Sequence, residues 1–229
     1  ADRIRILPRT SKLPASGRPA SLGSLKRISE DDDLLVIDKP AGLLTSTNAR
    51  EKRPTALAMV RDYIAAANPR ARVGLIHRLD RDASGLLVFT KSDAAYRSLK
   101  TQFFKHTVER IYEATVSGFI NPPDGKIESR LIERADGTVR STTRHAHGQR
   151  AITLYETLRR QGTQTILRVT LLTGRKHQIR VHLSEKGHPV VGDTVYGKSE
   201  PGGLKLRAAR LSLDHPRTGK RMDFTCGPA

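Results

Sequence analysis

The sequence predicts an α+β fold, with mixed, mainly antiparallel sheets and flanking helices. Three observations carry this. Apolar runs are short and end in turn residues, hairpin signals separate two pairs of them, and helical stretches stand singly among strands instead of alternating with them. At 229 residues the chain can bury a large core without staples. Residues 1–25, rich in Arg, Pro, Ser and Gly, read as a basic flexible arm, and residues 26–229 as one folded domain.

The elements follow in order. Leu34, Leu35, Val36 and Ile37 form a short apolar strand after an acidic turn over 30–33, and Lys39-Pro40-Ala41-Gly42 turns the chain. Residues 54–67 read as a helix: Pro54 suits its first turn, Leu57, Val60 and Ile64 share a face, and Asn68-Pro69 ends it. Val73, Leu75 and His77 alternate into a polar segment, and residues 85–90 form a buried strand. Ser92 caps a helix on which Ala95, Leu99 and Phe103 recur at helical spacing. Residues 108–116 alternate as a strand with Tyr112 on its mostly apolar face. Asp136-Gly137 marks one hairpin, and residues 152–155 and 166–171 flank another. Ile179 and Leu183 have helical spacing within 176–185, which sets His177, Arg180 and Ser184 on a neighbouring face. Gly187-His188-Pro189 ends that helix, residues 192–197 read as a loop, and short strands over 211–213 and 222–226 close the chain.

Charge is the strongest global signal. Against 23 Asp and Glu stand 41 Lys and Arg, a formal +18 with a pI near 10.7. A polyanion is the natural partner, and Arg suits phosphate contacts and stacking on bases, so nucleic acid is expected. Aromatic residues make up only 4% and Trp is absent, which argues against a broad aromatic platform. No apolar run approaches the roughly 20 residues of a membrane helix, so no membrane partner is expected. The single Cys226 cannot close an intrachain disulfide, which fits a reducing, cytoplasmic setting.

One stretch looks like a site. Residues 77–85, His77-Arg78-Leu79-Asp80-Arg81-Asp82-Ala83-Ser84-Gly85, interrupt two apolar runs with carboxylates and cations. For Asp80 alone the default is a turn paired with Arg78 or Arg81. For Arg180 it is a solvated cation on a helix face, and for Tyr112 a core tyrosine whose hydroxyl finds a partner. The sharper reading sets Arg180 against Asp80, where the ion pair keeps the carboxylate ionised in an enclosed site. Metal chemistry is not expected: His145 and His147 lack a nearby carboxylate or thiol, and His177 and His182 are five apart, off the spacing that stacks two imidazoles. A phosphate-binding loop, a nucleophile elbow and a base beside Cys226 are likewise not found.

His77-Arg78-Leu79-Asp80 with Ser84-Gly85-Leu86-Leu87, then Arg110-Ile111-Tyr112-Glu113-Ala114, then Gly174-Arg175-Lys176-His177-Gln178-Ile179-Arg180-Val181-His182-Leu183, then Gly187-His188-Pro189 with Gly192-Asp193 and Tyr196-Gly197, stand in one order. Taken together they resemble the RluA-type pseudouridine synthases, from about residue 28 almost to the C-terminus. The resemblance implies that family's catalytic fold with a central RNA-binding cleft, and isomerisation of uridine to pseudouridine in structured RNA, ribosomal or transfer. It makes Asp80 the catalytic aspartate, Tyr112 the residue packed against the target base and Arg180 the partner of Asp80. Arg78 would enter the helix stack as the uridine leaves it, and His77, Arg175 and His177 are expected to contact substrate. No cofactor, metal or obligate protein partner is implied, and a monomer is expected. Whether Asp80 adds to the sugar or abstracts a proton stays open at this point. Arg110, Ala83 and Arg207 stand where family members often carry Lys, Thr and a nearby His, which bears on substrate choice. The rival expectation is a catalytically weak RNA-binding or ribosome-assembly factor on the same fold.

Overall fold

The computed structural model describes residues 22–23, 25–47, 53–144 and 147–227; His145 and most of the expected basic arm lie outside the described residues. The strands are β1 (Lys26–Glu30), β2 (Leu34–Lys39), β3 (Gly74–Leu75), β4 (Ser84–Thr90), β5 (Glu109–Ser117), β6 (Asp124–Glu133), β7 (Val139–Ser141), β8 (Gln149–Gln161), β9 (Gln164–Leu171), β10 (Leu206–Asp214) and β11 (Arg221–Thr225). The helices are α1 (Ala56–Ala67), α2 (Asp93–Phe104) and α3 (Gln178–Glu185).

β2 and β4 read as unbroken apolar runs because both of their faces are covered. Leu35, Ile37, Leu87 and Phe89 pack with Ala56, Val60 and Ile64 of α1, while Leu34, Val36, Leu86 and Val88 pack with Leu99 of α2. Each such side chain contributes roughly 1.5–3 kcal/mol when fully buried. Leu22 and Leu25 join the α1 side of this core. Both helix starts are fixed by side-chain caps. Thr55 Oγ1 accepts from Ala58 N at 3.1 Å and Ser92 Oγ from Ala95 N at 3.1 Å.

Among the described residues all strands join one sheet in the order β1-β2-β4-β10-β5-β9-β8-β6-β7, with β3 added to β4 and β11 to β10. The pairings between named strands are antiparallel except that of β4 with β10, where Arg207 lies opposite Ser84 and Ala208 opposite Gly85. This short seam joins the two halves of the sheet directly after the polar stretch. Ala208 also lies opposite Tyr112 on β5, so the seam brings Gly85 and Tyr112 to either side of one residue. Gly85 has φ +109°, and a Cβ there would run into the Ala208 backbone, so the seam closes only around glycine. Arg207 ties the same place laterally, donating to Asp38 Oδ2 at 2.7 Å and to Ser84 Oγ at 3.3 Å.

The structure extends the expected elements in two places. Ten-residue β6 is absent from the sequence reading except for its last two positions, because Asp124, Lys126, Glu128 and Arg130 break the apolar alternation; Glu128 is paired across to Arg150 at 2.7 Å. α3 was expected to dock one apolar face, yet Gln178 through Leu183 are all buried. Leu131, Val139 and Ala151 of the β6–β7–β8 region cover Val181, and His182 is held between Ser129 Oγ at 3.0 Å and Thr153 Oγ1 at 2.9 Å.

His182 makes stability depend on pH. Burial pushes its pKa down to about 4 from 6.5, with Glu185 opposing weakly. The folded state therefore keeps it neutral where the unfolded chain protonates it, and stability present above pH 6.5 is lost as pH falls toward about 4. The expected slope from this one group approaches about 1.4 kcal/mol per pH unit. Denaturant unfolding between pH 7 and 4 should show that slope diminished in His182→Gln, and an unaltered slope would contradict the assignment.

Candidate active site

Asp80 lies between β3 and β4 on a segment held from three directions. Thr45 clamps Leu79, its Oγ1 donating to Leu79 O at 2.8 Å and accepting from Leu79 N at 3.2 Å. The Arg81 carbonyl accepts from Gly42 N at 2.9 Å and from Lys39 Nζ at 2.9 Å. Lys39 is fully buried and also donates to Pro40 O at 2.9 Å and Leu43 O at 2.7 Å, so its three protons meet three carbonyls. Burial pushes its pKa down to about 8 against the opposing charges of Asp82 and Asp80. Arg81 pairs with Asp82 at 2.9 Å, so the salt-bridged-turn reading applies to Asp82 and leaves Asp80 to another partner.

That partner is Arg180. Its Nη1 donates to Asp80 Oδ2 at 3.0 Å, while Nε and Nη2 fork onto Asp193 Oδ2 at 2.7 Å and Oδ1 at 2.8 Å. Burial alone would favour a neutral guanidine; the two carboxylates outweigh it and hold Arg180 protonated. Asp193 side-chain exposure is 0% and that of Asp80 is 24%, which separates their roles. Asp193 Oδ1 also accepts from Val195 N at 2.9 Å and Tyr196 N at 3.0 Å. Burial would raise the Asp193 pKa, and these donors with Arg180 bring it below the usual value. Asp80 Oδ1 takes no hydrogen bond among the described residues, and the Asp80 side chain is partly exposed.

Residues 192–197, expected as a plain loop, supply Asp193 and Tyr196. His177, Arg180 and Ser184 do share a face, and Tyr196 covers it. His177 Nδ1 meets the Tyr196 hydroxyl at 2.8 Å, Arg180 lies 5.2 Å from the ring centroid, and Ser184 Oγ donates to Tyr196 O at 2.7 Å. The hydroxyl already accepts from Val139 N at 2.8 Å, which leaves it to donate to His177 Nδ1. Burial lowers the His177 pKa against the pull of Asp80, consistent with a neutral, accepting ring. Asp193 and Tyr196 were missed as site residues because nothing local pairs them with Arg180 and His177, 13 and 19 residues earlier; an acidic residue two positions after the apolar pair Val190-Val191 was the available signal.

The structure brings Asp80, Arg180, His177 and Tyr112 into one electrostatic neighbourhood. Tyr112 is 8% exposed, and its hydroxyl makes no hydrogen bond among the described residues. Burial raises its pKa, Arg110 lowers it and Asp80 raises it further. Arg78 is exposed and makes no hydrogen bond or ion pair among the described residues, and Arg175 is exposed with Nε donating to Arg150 O at 3.1 Å. His77 is turned into the protein: Nε2 accepts from Val88 N at 3.1 Å and its ring stacks on Phe103 at 5.1 Å. Burial and the Arg110 charge push its pKa down to about 3, so the ring is neutral. Among the described residues Asp31, Asp33 and His215 bring potential metal ligands within 4.8 Å of one another, at the opposite end of β2. Their charge is already engaged, with Arg217 forked on Asp33 at 2.7 and 3.1 Å and Asp31 Oδ1 accepting from two backbone N–H groups.

A family model described as RNA pseudouridylate synthase matches residues 33–185. The chain is 34% identical over 237 residues to "Ribosomal large subunit pseudouridine synthase D" of Neisseria meningitidis serogroup A, covering 97% of this chain and 63% of that protein. It is also 34% identical over 205 residues to "Dual-specificity RNA pseudouridine synthase RluA" of Pasteurella multocida, covering 87% of this chain and 91% of that protein. In fold it matches the solved structure of "Human RNA Pseudouridylate Synthase Domain Containing 4" with TM-score 0.75 at 22% identity, over 89% of this chain and 88% of that one. The chain thus spans 63% of the length of the serogroup A relative and 57% of its serogroup B counterpart. On the family model and these identities, the chain belongs to the RNA pseudouridylate synthase family.

Proposed function

We propose that this chain isomerises uridine to pseudouridine in structured RNA, ribosomal or transfer. The observation that carries the reading is the division of Arg180 between two carboxylates, one buried and saturated, the other partly open with a free oxygen. In the reaction the N1–C1′ bond breaks, the uracil turns while bound, and a C5–C1′ bond forms. The C5 proton is lost and N1 gains one, so the RNA neither gains nor loses atoms overall. Asp80 serves at the sugar, by addition at C1′ or by proton abstraction at C2′, and either use needs it ionised and positioned. Arg180 supplies both conditions.

Tyr112 forms the apolar floor on which the extruded base packs, its hydroxyl unclaimed by the protein. Arg78 and Arg175 keep charge available for the RNA, Arg78 in the gap that the base leaves and Arg175 on flanking phosphate. His177, fixed by Tyr196, faces the same space, while His77 supports the Asp80 stretch and reaches the RNA only through that segment. The names of the relatives favour ribosomal RNA. No helix among the described residues is long and apolar enough to cross a membrane. The proposal extends to a basic arm over 1–25 and a catalytic domain over 26–229, acting as a monomer in the cytoplasm without cofactor or obligate protein partner.

Two substitutions test the division of labour. In Asp80→Asn, pseudouridine formation should vanish while RNA affinity is retained, read by pseudouridine mapping of cellular RNA and by filter binding; an unchanged yield would sink the mechanism. In Asp193→Asn the buried fork loses its anionic partner. Stability should fall by about 3 kcal/mol in denaturant titrations, and turnover should fall as Arg180 is freed to swing onto both oxygens of Asp80.

A further inference from the structure

α2 ends in a cap that the proposed chemistry does not use. Lys105 is its C-cap, and His106 follows at φ +57°, in the left-handed region that glycine normally fills. The motif is complete: His106 N donates to Phe103 O at 3.3 Å and Thr107 N to Gln102 O at 3.0 Å. A glycine would close it without strain, yet an imidazole stands there. Just before it Phe104 is 83% exposed, the most exposed large apolar side chain among the described residues. The side chains of Phe104, Lys105 and His106 make no hydrogen bond, ion pair or ring contact among the described residues.

The cap adjoins the site. The Phe103 ring stacks on His77 at 5.1 Å, and Arg110 lies 5.6 Å above that ring with Nη2 3.5 Å from Leu171 O. Phe104, the next residue and about 100° further round the helix, projects into solvent from the helix end whose Phe103 makes these contacts. An isolated exposed apolar residue is ordinary. An exposed phenyl ring followed by an ammonium group and by an imidazole on left-handed backbone, on a protein of formal charge +18, matches an unpaired nucleotide: the ring offers a face for the base, the ammonium offers charge for its phosphate and the imidazole a hydrogen bond. We infer that the α2 cap is a second RNA contact, in which Phe104 stacks on an unpaired base near the target uridine while Lys105 and His106 hold its phosphate. The inference rests on RNA being the substrate and names where on the chain an unpaired neighbour is received.

The test compares an RNA hairpin having an unpaired uridine-containing loop with a fully paired duplex of equal length, each bound to the full chain. Phe104→Ala should weaken hairpin binding roughly tenfold and leave duplex binding and the salt dependence unchanged, and Phe104→Trp should retain hairpin affinity. His106→Gly should raise Tm by about 2–4 °C and nevertheless weaken hairpin binding. Hairpin affinity unchanged in Phe104→Ala, or weakened equally with that of the duplex, would overturn the inference, as would a stabilised His106→Gly protein that binds the hairpin as before. The readout needs no turnover. Absence of pseudouridine with this binding pattern intact would count against the catalytic reading alone.

Discussion

The site depends on a single buried cation serving two anions unequally. Asp193 takes two of the Arg180 donors and two backbone N–H groups, whereas Asp80 takes one donor. This inequality leaves one carboxylate inert and the other with an open oxygen. Lysine cannot reproduce it, since a point charge lacks the planar fork that grips Asp193 while a third N–H reaches Asp80. The arrangement carries net negative charge in a partly enclosed place, and it holds because Asp193 is fully hydrogen-bonded and Asp80 keeps access to water.

Rigidity at Asp80 comes from the backbone on both sides of it. Lys39 satisfies three carbonyls from beneath, Thr45 grips Leu79, and Gly85 lets β4 meet β10 immediately downstream. The parallel seam is short because the strands diverge beyond Arg207 and Ala208, which leaves Tyr112 of β5 beside the point where the polar stretch rejoins the sheet. Arg207 is committed to this seam through Asp38 and Ser84. A substitution there acts first on the support of the Asp80 stretch.

Local signals were legible where local physics decides. The apolar runs of β2 and β4, the caps at Thr55 and Ser92, and the shared face of His177, Arg180 and Ser184 follow from spacing and hydrogen-bonding type. The pairing of Asp80 with Arg180 was legible only as a possibility, since 100 residues separate them. What remained hidden is what tertiary packing imposes. β6 carries charges whose pairing on the strand and across to Arg150 appears only once the sheet is formed, α3 is buried partly by β6, β7 and β8, which lie far away in the chain, and Asp193 looks like a loop residue until Arg180 is seen to end on it. His77 shows the converse: a histidine in a functional stretch whose ring nitrogen and ring face are both committed to the protein interior.

Net charge says that a polyanion is the partner but not where it lies. Much of the positive charge is answered internally: Arg217 by Asp33, Arg207 by Asp38, Arg210 by Asp223 and Lys176 by Glu133. Arg78 and Arg175 are exposed and meet no carboxylate among the described residues. On the proposed function, a phosphate backbone finds these uncompensated cations while Asp80 approaches the sugar. Repulsion between RNA and that carboxylate is lessened, because Arg180 shares its charge with Asp80 from within while exposed, unanswered cations attract the phosphates from without. On that proposed function, the negative group sits within reach of C1′ of a polyanion without driving the substrate away.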